Sequence, residues 1–340
     1  MSNKKYRVGI VGIGAVGTEM VKVLRERAFP IEELRVLARS ERDEEIAGQT
    51  VHVVAACNEA FDGLDFAFFA GTEGAKGASQ RYGWEAVKRD VIVIDNGDDF
   101  RMDDRVPLVI PEINPDAIKQ HQGLIANPNC STIVALMALG PLHRAAGILR
   151  FVVSTYQSVS GTGRAAIREL EEQVQAYAAG RPLVHKAYPH QIAFNALPHI
   201  GSLKDALPGY TSEEAKMLFE TRKILGSHAI RVSATCVRIP VFYAHSEAIN
   251  VQFEKKLGPE QAREILGAAP GVQVIDDVSA NAYPLPLEAA GKDDVFVGRI
   301  RPDLSVQNGL ALFVVGDNIR KGAALNAVQI AEKMIEMKLA

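Results

Sequence analysis

The sequence is poor in several features that would each define a class of protein. Its 340 residues include three widely spaced cysteines, Cys57, Cys130 and Cys236, which form neither a disulfide framework nor a CxxC metal motif. No apolar run reaches the length of a transmembrane helix, and the glycine-broken N-terminus lacks the apolar core of a signal peptide. We therefore expect a soluble cytoplasmic protein in a reducing compartment, with no bound metal.

The sequence also has no large excess of positive or negative charge. Lys and Arg number 38 against 41 Asp and Glu, a formal net charge of -3, and the basic residues are scattered along the chain. Such a surface predicts binding to neither nucleic acid nor an anionic membrane. Small-molecule chemistry becomes the expected function, and the 47% hydrophobic composition is sufficient for two globular domains.

The first third of the chain alternates short apolar runs with helix-like stretches. It opens with a strand at Tyr6–Val11, a glycine turn at Gly12–Gly17 and a helix at Thr18–Glu26. A helix is also expected at Gly74–Arg89. Further strands are expected at Leu34–Ala38, Phe66–Ala70, Val91–Asp95 and Leu108–Ile110. This alternation predicts an α/β fold with a doubly wound, mostly parallel sheet of the Rossmann type.

A second pattern begins at Phe151, where longer β-rich runs are separated by helices. Ile249, Val251 and Phe253 alternate with polar residues, which is typical of a sheet covered on one face. The runs are Phe151–Ser158, Ile230–Arg238, Ala248–Glu254 and Val295–Ile300, with a last one at Phe313–Val315 before a helical tail at Gly322–Leu339. We predict an α+β catalytic and dimerisation domain with a mixed, largely antiparallel sheet at residues 129–315, and a nucleotide domain formed by residues 1–128 with 316–340.

The glycine turn matches GxGxxG between a strand and a helix, the context in which backbone can approach a pyrophosphate closely. Its candidate cofactor residues are Gly12, Gly14, Ala15, Val16 and Gly17. After the second strand, Arg39, Ser40 and Arg42 could hold a 2′-phosphate, which favours NADP over NAD. The alternative is that these arginines belong to a solvated loop.

Cys130 follows Asn127-Pro128-Asn129 and precedes an apolar run that reads as a buried helix. A cysteine near a helix N-terminus favours the nucleophilic thiolate, and the free N–H groups there can stabilise an oxyanion. Asn129 could donate to the same oxygen. The alternative is a buried structural cysteine, the interpretation that we adopt for Cys57 and Cys236.

Several long blocks, in order, resemble the aspartate-semialdehyde dehydrogenase family over nearly the whole chain. The blocks are NPNCST, STYQSVSGTG, EEAKM, CVRIPVFYAHSEA, FRMDDRVPLVIPEIN and GDNIRKGAALNAVQIAE. The resemblance implies catalysis by Cys130, His245 and Asn129; substrate binding by Gln157, Arg238 and Glu213; phosphate binding by Arg101 and Lys216; and cofactor contacts from Ser160, Gly161 and Asn318. The seven other histidines have no such context and are expected to be structural or surface residues.

The resemblance implies an oxidoreductase that uses NADPH to reduce L-aspartyl-4-phosphate to L-aspartate 4-semialdehyde and phosphate through a cysteine thioester. Such a reaction serves lysine, threonine, methionine and diaminopimelate biosynthesis. It also implies a homodimer or homotetramer. One alternative is a reductase of the same fold for another acyl phosphate or thioester, of the N-acetyl-glutamyl-phosphate or malonyl-CoA type; another is a catalytically silent nucleotide-binding homologue.

Two segments depart from the family pattern. In ARSERDEE an ungapped pairing puts Glu41 where the family has its arginine, and a shift of one residue restores Arg42, so NAD is retained as the alternative cofactor. In the second segment, Gly97, Asp98 and Asp99 stand where the family has small and hydroxyl residues, which adds two acids near the expected nicotinamide and phosphate region.

Overall fold

The computed structural model describes residues 4–46, 48–71 and 77–340, which form two compact units. The first unit falls within residues 1–129 and 323–340, and the second spans residues 130–322. No helix of these described residues is long and apolar enough to cross a membrane.

The first unit is a strand-and-helix alternation around one sheet. Its elements before residue 130 are β1 (Tyr6–Val11), α1 (Ala15–Glu26), β2 (Ile31–Ala38), β3 (Arg42–Ile46), β4 (Gln49–Ala55), β5 (Phe66–Phe69), α2 (Ala78–Val87), β6 (Ile92–Asp95) and β7 (Leu124–Ala126). The strand order is β3-β4-β2-β1-β5-β6-β7, parallel throughout except for the β3–β4 hairpin. The predicted doubly wound sheet is confirmed.

The order changes direction at β1, which pairs with β2 on one side and β5 on the other. Such a reversal opens a crevice at the carboxyl ends of the strands, the usual ligand site of this fold. The glycine turn follows β1 directly and therefore lies at that edge. Below it, rings of Tyr6, Phe29 and Phe66 pack edge-on or tilted in a fully apolar core.

Three sequence predictions for this unit need correction. Leu108–Ile110 is not a strand: Leu108 makes only an isolated bridge to Ala126, because prolines at 107 and 111 limit the ladder. Helix α1 begins at Ala15, three residues earlier than predicted. The charged run of β3 was not predicted as a strand. Of the predicted helix at Gly74–Arg89, residues 74–76 lie outside the described residues, and the observed helix is α2.

The second unit has a six-stranded mixed sheet whose long helices pack on one face, whereas Ala289 of a short helix packs against Phe296 and Val315 on the other. Its elements are α3 (Cys130–Ala146), β8 (Ile148–Gln157), α4 (Arg164–Ala178), β9 (Leu203–Lys204), β10 (Leu207–Thr211), α5 (Ser212–Leu225), β11 (Arg231–Arg238), β12 (His245–Phe253), α6 (Pro259–Gly267), β13 (Val272–Val274), α7 (Pro286–Ala289), β14 (Val295–Pro302) and β15 (Gly309–Gly316). A π turn at Arg320–Ala324 then leads into α8 (Leu325–Glu336), which belongs to the first unit.

The larger sheet runs β11-β8-β12-β15-β14-β13, with antiparallel pairs in the centre and a parallel pair at each edge. The predicted mixed, largely antiparallel sheet is confirmed. Ile249, Val251 and Phe253 are buried, as their alternation predicts, whereas Asn250 is exposed. Tyr156 of β8 is likewise exposed on the face opposite the long helices.

The chain divides between the units at slightly different residues from those predicted. Asn129 falls in the first unit, and residues 316–322 fall in the second rather than the first. Gly316 completes the ladder of β15 with His245. Asp317 accepts the Gly291 N–H at 2.7 Å, and its carbonyl accepts the Gly322 N–H at 3.0 Å. These hydrogen bonds hold the segment within the second unit.

Candidate active site

At each of the three glycines of the turn, a different structural constraint favours a residue without a side chain. Gly12 has φ +95°, a conformation that side-chain-bearing residues rarely adopt. A Cβ on Gly17 would overlap the carbonyl oxygen of Gly12, so this residue lets the helix pack against the turn. A Cβ on Gly14 would meet no described atom within 4 Å. The space beside Gly14 therefore remains open for a ligand.

Gly14 is also the N-cap of α1, and no side chain caps this helix end. The first-turn N–H groups of Ala15, Val16 and Gly17 consequently face an end without a competing side-chain acceptor. Such a helix end attracts phosphate through its N–H groups and its dipole. The turn thus fits a dinucleotide pyrophosphate.

The segment predicted to bind a 2′-phosphate has one available arginine and one engaged arginine. Arg39 and Ser40 lie in an exposed bend after β2, and Arg39 makes no ion pair with any described residue. Arg42 lies in β3, where its Nη2 is 2.6 Å from Glu44 Oε2 and its Nη1 donates to the Ser40 carbonyl. Glu41 is exposed, with Oε1 3.4 Å from His52 Nε2.

Cys130 is the first residue of the 17-residue helix α3 and is partly exposed. The rest of the first turn is buried, and the helix continues through the apolar run that the sequence predicts. Gly322 packs closely against this cysteine, because a Cβ on Gly322 would come within 2.9 Å of Cys130 Cβ. Cys130 therefore lies at a helix N-terminus, with Gly322 packed against it.

Gln157 and Arg238 end two neighbouring parallel strands and are paired in register. Both side chains are buried. Gln157 Nε2 donates to Glu213 Oε1 at 3.3 Å, and Glu213 Oε2 lies 3.5 Å from Lys216 Nζ one turn along α5. Arg238 Nη1 donates to the Ser158 carbonyl at 2.6 Å, while its buried Nε has no partner among the described residues. These predicted substrate residues are brought together.

His245 begins β12 and is fully buried. Its Nδ1 accepts the Ser158 N–H at 3.1 Å, and its Nε2 has no hydrogen-bond partner among the described residues. Burial, and secondly the charge of Arg238, hold the pKa of the imidazole well below its usual value. The ring is therefore neutral at pH 7. A Cβ on Gly161 would lie 3.3 Å from Nε2 and 2.9 Å from Arg238 Nη1, so glycine keeps this space clear.

Ser160 and Asn318, predicted as cofactor contacts, are both buried and bonded to each other. Asn318 Nδ2 donates to Ser160 Oγ at 3.0 Å, and Asn318 Oδ1 accepts the Ala244 N–H at 3.1 Å. Both residues also bond Ser158 Oγ, which lies 3.1 Å from His245 Nδ1, so they connect to the histidine within the second unit.

Arg101 and Asn129 are buried residues of the first unit. Arg101 Nη2 donates to the Asn96 carbonyl at 2.7 Å. Nearby, burial raises the pKa of Asp95, whose Oδ1 accepts from Ser79 and from the Gly97 N–H. Lys216, the other predicted phosphate residue, belongs to the second unit. No group of three or more His, Cys, Asp or Glu among the described residues could hold a metal.

Cys236, Cys57, His121 and His143 show no sign of a catalytic role in the structure. Cys236 is buried in β11, and burial raises the pKa of its thiol, which leaves it unreactive. Cys57 is exposed. His121 and His143 each accept a backbone N–H through Nδ1.

Three residues in these surroundings had no assigned role in the sequence analysis: Ser158, Gly322 and Glu247. Glu247 is fully buried on β12, both of its oxygens lack a partner among the described residues, and burial raises the pKa of its carboxyl well above its usual value. The sequence gives no local signal for Ser158 or Gly322, since their partners lie up to 192 positions away along the chain.

Family models match both units of the chain. The NAD binding domain of semialdehyde dehydrogenases matches residues 7–121, and the semialdehyde dehydrogenase dimerisation domain matches residues 139–321. Together with the glycine turn and the cysteine at the start of α3, these matches define an oxidoreductase of the semialdehyde dehydrogenase class with a nicotinamide cofactor and a dimerisation domain.

Full-length relatives narrow the class. The aspartate-semialdehyde dehydrogenases of Aquifex aeolicus and Bacillus subtilis are 52% and 44% identical, over 97% and 98% of this chain and 98% of each relative. A crystal structure of aspartate semialdehyde dehydrogenase II from Vibrio cholerae superposes with a TM-score of 0.92 at 44% identity, covering 98% of this chain and 99% of that one. The chain belongs to the aspartate-semialdehyde dehydrogenase family. The membership supports the main functional prediction over the acyl-substrate alternative.

Proposed function

We propose that the protein reduces L-aspartyl-4-phosphate to L-aspartate 4-semialdehyde and phosphate with NADPH, with Cys130 carrying the acyl group as a thioester (EC 1.2.1.11). The reaction belongs to lysine, threonine, methionine and diaminopimelate biosynthesis. The observation that carries the substrate assignment is the grouping of Gln157, Arg238 and Glu213 at the ends of β8, β11 and the start of α5. These are an amide, a guanidinium and a carboxylate, the groups that recognise an amino acid.

In this proposal Arg238 holds the substrate α-carboxylate, because its planar fork can donate to both oxygens and its Nε is available. Glu213 receives the α-ammonium and Lys216 the phosphate. These two side chains already pair at 3.5 Å. A substrate that brings one cation and one anion can exchange with both partners, so no charge is left unpaired on binding.

Cys130 thiolate would attack the β-acyl carbon, forming a carbon–sulfur bond as the carbon–oxygen bond to phosphate breaks. Arg101 and Lys216 would receive the phosphate. Asn129 and the first N–H groups of α3 would stabilise the oxyanion. The nicotinamide supplies a hydride when bound. His245 would then remove the proton from the thiohemiacetal hydroxyl, so that the carbon–sulfur bond breaks and aldehyde is released.

We propose NADP as the cofactor, with Arg39 and Ser40 as its principal 2′-phosphate residues. Arg39 is exposed and has no described partner, whereas Arg42 would first have to leave Glu44. Arg39→Ala should raise the KM for NADP about tenfold and change the KM for NAD little, because about 1.4 kcal/mol is a usual value for one charge-assisted contact. Arg42→Ala should have a smaller effect. Equal use of NAD by the wild-type protein would instead assign the ribose contact to Glu41.

We further propose a cytoplasmic homodimer. The face of the larger sheet opposite its long helices carries exposed Tyr156 and Asn250, and the dimerisation-domain match includes both residues. Sedimentation equilibrium should give twice the chain mass. A monomer, or a tetramer at all concentrations, would contradict this proposal.

The reaction is tested by following reduced nicotinamide as the purified protein oxidises L-aspartate semialdehyde, with and without phosphate and with NADP or NAD. Phosphate-dependent turnover that prefers NADP is the expected result. Turnover with N-acetyl-glutamate semialdehyde or with malonyl-CoA as the better substrate would overturn the assignment. Absence of turnover with every substrate, in folded protein that binds cofactor, would indicate a silent homologue.

A further inference from the structure

Ser158 contacts both the acid/base histidine and the substrate arginine. Its N–H and its Oγ each lie 3.1 Å from His245 Nδ1, and its carbonyl accepts Arg238 Nη1 at 2.6 Å. The residue is fully buried in the turn after β8. It therefore offers Nδ1 a donor and an acceptor side by side.

These two groups favour opposite states of the imidazole. When the Ser158 N–H donates to Nδ1, the neutral ring carries its proton on Nε2 and cannot act there as a base. When Nδ1–H donates to Ser158 Oγ, Nε2 has a free lone pair and can accept a proton from substrate. An imidazolium also needs this second arrangement, because both of its nitrogens are donors.

Asn318 determines whether Ser158 Oγ is available as an acceptor. The Ala244 N–H donates to Asn318 Oδ1 at 3.1 Å, which identifies that atom as the amide oxygen. Ser158 Oγ lies 3.0 Å from the same oxygen and can donate its hydroxyl proton to it. With its proton directed to Asn318, Ser158 Oγ presents lone pairs to His245 Nδ1.

We propose that Ser158 is a positioning residue that, oriented by Asn318, accepts Nδ1–H and thereby lets His245 act as a base through Nε2. The inference extends the proposed function, because it explains how the histidine can take the thiohemiacetal proton. The buried Nε2, without a described partner and bordered by Gly161, is the atom that this arrangement leaves for the substrate.

None of the charged groups named below can take the place of Ser158 Oγ as the acceptor for His245 Nδ1–H. Arg238 on β11 disfavours the imidazolium. Burial raises the pKa of Glu247, on the same face of β12, well above its usual value, which favours the uncharged carboxyl. Asp317 directs its carboxylate to the N–H groups of Gly291, Ile319 and Arg320. Among the residues that the structure describes, Ser158 Oγ is thus the acceptor within hydrogen-bond distance of Nδ1.

The first test compares Ser158→Ala with Ser158→Thr in semialdehyde oxidation across pH. The alanine variant keeps the N–H but loses the acceptor, so kcat should fall about 100-fold, the scale of lost base catalysis, with the substrate KM changed less than about threefold. The limb of the pH profile assigned to His245 should move to lower pH. Threonine should restore kcat to within about threefold, because it retains the hydroxyl. Ser246→Ala, at a buried serine next to His245 in sequence, is the matched control.

A second readout does not depend on turnover. In ¹⁵N spectra of histidine-labelled protein, wild-type His245 should populate both neutral tautomers, and Ser158→Ala should shift it to the Nε2–H form. An unchanged kcat and pH profile in Ser158→Ala, equal defects in the alanine and threonine variants, or identical ¹⁵N shifts would overturn the proposal. If the tautomer shifts but wild type turns over no semialdehyde, the proposed function fails while the Ser158 contact stands.

Discussion

The glycine turn of the first unit is built in the opposite way to a group of residues in the second unit that we call the histidine turn: Ser158, Ser160, Ala244, His245 and Asn318. At Gly12–Gly17 the recognising groups are backbone N–H donors at a helix end, and the side chains have been removed to expose them. Around His245 the polar groups are instead buried side chains that hydrogen-bond to one another, those of Ser158, Ser160 and Asn318. The first arrangement depends on space and the second on proton positions.

The largest expected effect is on Cys130, the proposed nucleophile at the start of α3. Cys130→Ala should lower turnover at least about 10⁴-fold, because no other group there can form the thioester. Cofactor binding, measured by nicotinamide fluorescence, should persist. Cys57→Ala is the control, since Cys57 is exposed and belongs to the first unit. Turnover that survives in Cys130→Ala would exclude the thioester mechanism.

A smaller effect on activity is expected at Gly161, where the absence of a side chain leaves room for Arg238 and His245. In Gly161→Ala, the new Cβ would stand 2.9 Å from Arg238 Nη1 and 3.2 Å from His245 Cε1. We expect kcat/KM to fall about 100-fold, the usual result of displacing reacting groups by about 1 Å. A rate within threefold of wild type would show that Arg238 and His245 can move without loss of function.

Two glycines of the first turn separate packing from recognition. Gly17→Ala should lower the free energy of unfolding by about 1–3 kcal/mol, because its Cβ overlaps backbone. Gly14→Ala should leave stability nearly unchanged and weaken cofactor binding, since the protein leaves that space open. Chemical denaturation and cofactor titration of both variants make the test. Equal loss of stability in the two variants would refute the distinction.

The smallest expected effect compares two buried glutamates of the second unit. Glu247 has no described partner and a raised pKa, so the unfolded state is favoured as pH rises above about 4.3, where only the unfolded carboxyl ionises. Glu247→Gln should therefore raise the free energy of unfolding at pH 8 by about 1 kcal/mol and lose this advantage toward pH 4.

Glu214 is the matched control, because its oxygens accept the N–H groups of Thr211 and Cys236. Glu214→Gln replaces one of these acceptors by a donor and should be destabilising at pH 8. Thermal unfolding of both variants as a function of pH measures the difference. Destabilisation by Glu247→Gln would mean that its carboxylate has a partner in solution.

The sequence predicts what local patterns encode. β1 and the buried alternation of Ile249, Val251 and Phe253 follow from apolar patterning, and the glycine turn follows from its glycine spacing; the structure has each of them. The charged strand β3 escapes prediction, because it is an edge strand stabilised by pairing with β4 rather than by its own burial. Leu108–Ile110 fails for the converse reason: it is apolar and buried, but prolines on both sides limit its ladder.

The site residues divide in the same way. Cys130 could be proposed from its neighbours, because its context is the next few residues, but the structural alternative stayed open until the family resemblance. Arg238, His245 and Gln157 needed the family resemblance, and Ser158 escaped even that. Its partners, His245 and Asn318, lie 87 and 160 positions away. Hydroxyl groups of this kind have no characteristic local spacing, so only the folded chain shows that they meet.

Ala244, the residue before His245, has an unusual backbone conformation. It is not glycine, yet it has φ +68°, and its N–H is held by Asn318. A left-handed alanine costs roughly 1 kcal/mol or more, which glycine would recover. Selection for heat resistance alone would favour that replacement and loosen the residue before His245. If His245 transfers the proton as proposed, the alanine exchanges some stability for a fixed orientation of that side chain.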